Sequence, residues 1–208
     1  MEVCPEAKNY FFTLIYGMLG MTVIQLVDAQ FPVLFRELFP HSPEYMGWII
    51  SVVGLGGVLG AMWIQRVREL RYGWVLGGGL SLIGFGFGFI GLFTPGTPLM
   101  FGFLISFVAG VGVGLFFVSF NVILQKETEK KATGRVFGIE NSLSSTVMII
   151  APLIGGGLVH LIGVSQVYVL VGLIVFVLGL LAVAFQKLIW KQKSPAPVKK
   201  EEKAAAQG

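Results

Sequence analysis

One carboxylate lies well inside an apolar run of this chain. Asp28 follows Gln25 by three residues and Met21 by seven, so the three fall on one face of a helix, and Gly17 and Thr13 continue that face. An ionised carboxylate facing lipid is costly, so such a face looks onto protein or water. Its chemistry is then that of a group that carries protons, or that contacts a cationic or hydrogen-bonding substrate. An interfacial carboxylate is the competing expectation: a helix starting at Tyr10 has risen about 27 Å by Asp28, close to the outer surface. Arg36 and Glu37, just beyond, read as an outer rim.

Further along, Asn121 and Gln125 approach the end of another apolar run. There they either tie helices together or line an inner vestibule. A polar stretch from Glu140 through Asn141, Ser142, Ser144, Ser145 and Thr146 opens the next run. Its hydroxyls can bond helix carbonyls. On the face of Asn141 and Ser145 lie Pro152 and Gly156. Pro152 removes an intrahelical hydrogen bond, and Gly155-Gly156-Gly157 makes the segment beyond it thin, so a bend with gating or plain packing is expected there. Arg66, Arg68 and Arg71 form a basic cluster that orients the chain and offers ion pairs to Glu69, Glu127, Glu129 or Glu140. His41 and His160 are isolated. No His, Cys, Asp or Glu cluster has metal-ligand spacing, and no nucleophile motif appears; neither an enzyme, a metal nor a cofactor is expected. Gly110-Val-Gly-Val-Gly114 mimics part of a nucleotide loop, but lies deep in an apolar run with no preceding strand.

The elements that position these residues are set by hydropathy and charge. Apolar residues make up 55% of the chain and charged ones 12%, about half the charged share of a soluble domain. Six runs, approximately Tyr10–Val33, Tyr45–Ile64, Tyr72–Phe93, Pro98–Leu124, Phe137–His160 and Ser165–Leu188, each reach the length a helix needs to cross the hydrocarbon layer. Helices are required because lipid cannot satisfy open backbone groups. The runs are too long for barrel strands. With Met1–Asn9 placed inside, every one of the 15 Lys and Arg residues except Arg36 falls in the first segment, in an inner loop or in the tail. That is the positive-inside pattern, with both termini cytoplasmic in a cell membrane. The net charge of +4 suits contact with anionic lipid, and no basic, aromatic-interleaved face points to nucleic acid. Cys4, alone, cannot form an internal disulfide. Met1–Asn9 is polar and the run after it too long for a signal core, so no cleavable signal is expected. The expected organisation is an N-terminal segment, 1–9, a six-helix transmembrane domain, 10–190, and a disordered cytoplasmic tail, 191–208.

The chain's 29 glycines would oppose helix formation in water, whereas in lipid they let backbones approach. Gly102, Ser106, Gly110 and Gly114 recur every four residues and make one smooth ridge. Gly56 and Gly60, and Gly84 and Gly88, repeat the spacing. Such ridges are packing grooves or surfaces that slide during a conformational cycle.

The stretch Asn121–Gly163, with Gln125, Gly134-Arg135-Val136-Phe137 and Pro152-x-x-Gly155-Gly156, resembles the tenth and eleventh transmembrane helices of the major facilitator superfamily. It is most similar to the drug-efflux branch containing macrolide and siderophore exporters. Gly54–Arg71, with Gly56, Gly57, Gly60, Arg66 and Arg68, resembles the eighth helix and the loop after it, without the Asp of that loop's signature. The resemblance implies an all-α bundle of six transmembrane helices that is the C-terminal half of a twelve-helix fold, working as a secondary, proton-coupled exporter of a small amphipathic compound. It further implies that the first and fourth runs line a central cavity, which makes Gln25, Asp28, Ser106 and Asn121 candidates for the substrate or proton pathway. Gly56, Gly60, Arg66, Arg68, Gly110, Gly114, Gln125, Arg135, Pro152, Gly155 and Gly156 become candidates for packing and gating. The implied partners are lipid, a small-molecule substrate, and an N-terminal six-helix half or a second copy of the chain. A non-transporting assembly protein and an inactive transporter half remain the alternatives.

Overall fold

The computed structural model describes residues 5–42, 44–66, 72–128 and 133–186, with side chains from Thr13 onward. The tail expected at 191–208, the cluster residues Arg68 and Arg71, and Cys4 lie outside the described residues. Among the described residues seven helices follow one another: α1 (Pro5–Asp28), α2 (Phe31–Leu38), α3 (Glu44–Arg66), α4 (Tyr72–Gly91), α5 (Leu99–Glu127), α6 (Thr133–Ile162) and α7 (Val164–Ala184). Together they make six segments long and apolar enough to span a membrane, because α1 and α2 form one broken segment, Thr13–Leu38. The protein is an all-α, multi-pass membrane bundle of the kind that makes half of a twelve-helix transporter fold.

The break was not expected, and Pro32 is its cause. Proline cannot donate to the carbonyl four residues back, and its ring crowds that carbonyl, here Asp28's. The chain therefore turns at Ala29–Gln30, with Gln30 N–H donating to the Val27 carbonyl at 2.9 Å. Pro32 then sits in the first turn of α2, where it is tolerated. The first span accordingly runs to Leu38 rather than ending near Val33.

Two turns need a left-handed residue and have glycine there. Gly163, φ 89°, is the whole connection between α6 and α7, and Gly96, φ 108°, sits in the Thr94–Thr97 turn between α4 and α5.

Glycine spacing sets the layering. α3 packs on α5, α5 on α4 and α4 on α7, while α1 lies against α6 and touches α5 and α7. α4 is the enclosed helix, approached closely on two sides. A Cβ added at Gly84 would meet the Phe176 and Gly172 backbone of α7, and one added at Gly79 would meet the Gly112 and Phe116 backbone of α5. Between these contacts sits a core of Leu76, Leu80, Ile83, Phe116, Phe120, Val171 and Tyr168. The outer rim is bare. Trp48 and Trp63, at the two ends of α3, are 59% and 60% exposed, about 22 Å apart along the helix, a spacing suited to the two interfaces of a bilayer.

Candidate functional site

The broken span gives Asp28 its setting. It is the last residue of α1, fifteen residues past Thr13 and ten before Leu38. Its side chain is exposed from the bundle, and Gln25 one turn earlier is half-buried. The inner part of the same face is closed instead. Thr13 is buried, and a Cβ on Gly17 would run into the Phe120 ring of α5. The face thus begins in the core and opens to the surface of the bundle at Asp28. Because α2 continues the span for another eight residues, the carboxylate stands within the spanning segment and not at its end.

Depth can be read from the antiparallel register of α1 and α5, in which Gly17 meets Phe120 and Gly20 meets Phe116. Asn121 therefore lies level with Gly17, about 16 Å along the bundle from Asp28. Its amide donates to the Phe117 carbonyl of its own helix at 2.9 Å and stays exposed, as does Gln125. Asn121 ties no second helix through this bond, which leaves it free to line a vestibule. Ser106 falls near the level of Asp28 but not on its surface: it is fully buried, between Gly102, which faces Ile49, and Gly110, which faces Val53. The four pathway candidates are thus a pair at the end of α1, Gln25 and Asp28, a residue toward the opposite end of the bundle, Asn121, and a buried hydroxyl in the α3–α5 groove.

The ridge residues are brought together. A Cβ on Gly110 would strike the Val53 carbonyl and one on Gly114 the Gly57 carbonyl. A Cβ on Gly56 would lie 2.5 Å from the Phe107 oxygen, and one on Gly60 2.5 Å from the Val111 oxygen. Here α3 and α5 touch backbone to backbone. Ile105, off this ridge, is half-buried against the main core.

α6 supplies a polar face that the bundle does not cover. Asn141, Ser142, Ser145 and Thr146 are exposed, with Leu143 among them. The hydroxyls of Ser142, Ser145 and Thr146 donate one turn back, to the carbonyls of Gly138, Asn141 and Ser142 at 2.8–2.9 Å. Glu140 is half-buried and accepts from Ser144 at 3.1 Å. Arg66 and Arg135 are exposed. Of the acids expected to pair with the basic cluster, Glu69 and Glu129 lie outside the described residues.

Pro152 and Gly155 meet the break of the first span. Gln30, 8% exposed, donates its amide to the Pro152 carbonyl at 3.1 Å. Gly155 approaches the Leu26 carbonyl closely, and a Cβ on Gly156 would stand 3.6 Å from the Gln30 amide nitrogen. From α7, the buried Tyr168 hydroxyl donates to the Val27 carbonyl at 3.0 Å. Sequence reasoning passed over Gln30 and Tyr168. Pro32, two residues after Gln30, was the available signal for the first; a lone tyrosine in an apolar run carried none for the second.

The chain is 29% identical over 175 residues to a protein of Bacillus subtilis strain 168 called uncharacterized MFS-type transporter YfiS, an overlap covering 80% of this chain and 40% of that protein. It is 30% identical over 169 residues to the multi-drug resistance efflux pump PmrA homolog of Lactococcus lactis, covering 76% and 40%. It is 24% identical over 166 residues to the multidrug efflux pump Tap of Mycolicibacterium fortuitum, covering 75% and 38%. The chain thus spans about two-fifths of the length of these relatives. No solved structure matches it. A family profile described as Major Facilitator Superfamily covers residues 10–208. Six apolar spans, the polar face on α6 and this match lead to one conclusion: the chain belongs to the Major Facilitator Superfamily, a family of carriers rather than enzymes.

Proposed function

We propose that this chain is the C-terminal six-helix half of a secondary transporter that exports a small amphipathic, cationic compound in exchange for protons, with both ends of the chain in the cytoplasm. The carrying observation is the exposed polar surface within the spans: Asp28 on α1, Asn121 and Gln125 on α5, and Asn141, Ser142, Ser145 and Thr146 on α6. Polar groups at membrane depth face protein or water rather than lipid. A second six-helix bundle set against that surface would enclose a water-filled path at the repeat interface, where carriers of this kind bind substrate. The efflux names of the Lactococcus and Mycolicibacterium relatives support the direction of transport. The segments around Gln125, Gly134–Phe137 and Pro152–Gly156 support the assignment to the second half.

In this reading Asp28 is the group that holds either a proton or the substrate's positive charge. Gln25 supplies a hydrogen-bonding neighbour one turn inward, and Asn121 and Gln125 line the inner mouth. One bundle gives one wall of the path and nothing to rock against. Reconstituted as a monomer in vesicles with an imposed pH gradient, the chain is expected to accumulate no cationic dye. With a companion N-terminal half, accumulation is expected. A monomer that concentrates dye by itself would overturn the half-transporter reading.

Orientation has its own test. In a Cys4→Ser background, a cysteine at Thr94, exposed in the α4–α5 turn, is expected to react with an impermeant maleimide in intact cells. One at Ser194 is expected to react only after permeabilisation. External labelling at Ser194 would refute cytoplasmic termini.

A further inference from the structure

Two prolines interrupt backbone ladders at the same level of this bundle, one breaking its helix and one inside a continuous helix. Pro32 splits the first span, and Pro152 removes a backbone donor from the middle of α6. One side chain joins them: Gln30, at the joint between α1 and α2, gives its amide to the Pro152 carbonyl at 3.1 Å. Two side-chain hydrogen bonds hold the joint. The α1 side is fixed by Tyr168, whose hydroxyl bonds the Val27 carbonyl at 3.0 Å and whose ring packs edge-on to Phe87 of α4, 5.9 Å away. The α2 side is attached to α6 through Gln30. Beyond it α2 carries a continuous row of rings, Phe31 to Phe35 at 4.5 Å, Phe35 to Phe39 at 5.9 Å and Phe39 to Tyr45 at 5.4 Å, which joins it to the start of α3.

We propose that Gln30 is a latch that couples the two proline positions, so that α2 and the outer part of α6 move together relative to α4. The reason is mechanical. A helix bends most readily where its ladder bond is missing, and the two prolines face one another across a single, nearly dry amide. Such a bond is strong because neither partner finds water when it opens. Gly155 keeps the contact close, since a side chain there would strike the Leu26 carbonyl of α1. With the latch closed, a tilt of the outer part of α6 carries the Pro152 carbonyl, Gln30 and α2 with it. With the latch removed, each proline joint bends independently. The inference goes beyond the transport reading and needs no substrate, since it concerns contacts within this chain alone.

The test uses the full chain in lipid nanodiscs, in a Cys4→Ser background, with spin-label pairs at exposed sites. Val33 and Leu161 report α2 against α6; Phe89 and Leu170 report α4 against α7. Gln30→Met keeps the length of the side chain and removes the donor. It is expected to raise the population of a separated Val33–Leu161 arrangement by about 3- to 10-fold, the effect of losing one hydrogen bond, with the Phe89–Leu170 distance unchanged. An unchanged Val33–Leu161 distribution would overturn the latch. Pro152→Ala supplies a second test that leaves Gln30 intact. By restoring the missing ladder bond it is expected to shift Leu161 against Leu92 of α4, and Val33 against Leu92 in the same sense. A shifted Leu161 with a stationary Val33 would show uncoupled joints and end the proposal.

Discussion

Replacing Gly110 with Leu is expected to break the contact between α3 and α5. At this point a single added Cβ already meets the carbonyl, carbonyl carbon and Cα of Val53, and these are backbone atoms that cannot swing aside as a side-chain tip can. Association of helices in lipid rests on close packing, because hydrocarbon outside is as apolar as the groove inside. Forcing bulk into a filled contact costs about 1–3 kcal/mol in ordinary cores. Here the helix axes must separate, and the neighbouring contacts of Gly56, Gly60 and Gly114 lengthen with them. The expected result is loss of monodisperse protein, or a clear fall in melting temperature in detergent, with Gly110→Ala intermediate. Leu104, 63% exposed one turn from Phe107, is the matched control, and Leu104→Ala is expected to stay within about 0.5 kcal/mol. Equal melting of the Gly110→Leu and Leu104→Ala proteins would refute the groove.

That groove is the part of the molecule most legible in the sequence. Four-residue spacing in Gly102, Ser106, Gly110 and Gly114 fixes a row on a helix whatever surrounds it, and Gly56 and Gly60 supply a second row to meet it. The row also told more about Ser106 than its polarity did, since a small residue in register with packing glycines is buried with them. The six spans were legible for a similar reason: lipid imposes length and apolarity on every crossing segment. The broken first span was not, because average hydropathy is unaffected by one proline. The break bears on the depth of Asp28. Counting rise along an unbroken helix that stops near Val33 puts the carboxylate near the surface, whereas α2 adds the residues that leave it ten short of the span's end. Gln30 and Tyr168 were illegible for a different reason. What they bond is a carbonyl on another helix, Pro152 in one case and Val27 in the other, and those pairings exist only once the helices are packed. Ile105 shows the converse limit, for leaving one ridge placed it against the core on the other side of α5 and not in lipid.

In a complete transporter containing this half, Asp28→Asn is expected to abolish pH-driven accumulation while leaving substrate binding in place. The substitution keeps size and hydrogen bonding and removes the titratable group. Asp28 is exposed from the bundle at the end of α1, inside the spanning segment, with half-buried Gln25 one turn below it. A carboxylate so placed needs water or a partner bundle before it, and a path between two bundles provides both. The size of the effect follows from the driving force. One pH unit supplies about 1.4 kcal/mol per proton, about a tenfold concentration ratio for one-to-one, electroneutral exchange of a monovalent cation. The mutant's ratio is expected to fall to about one, since exchange without a proton performs no uphill work. Binding and efflux measured on the same preparation distinguish the roles. Loss of affinity at every pH would assign Asp28 to the substrate's cation instead of the proton. Wild-type binding together with a wild-type gradient would remove Asp28 from the path and return it to the structural end of a broken helix.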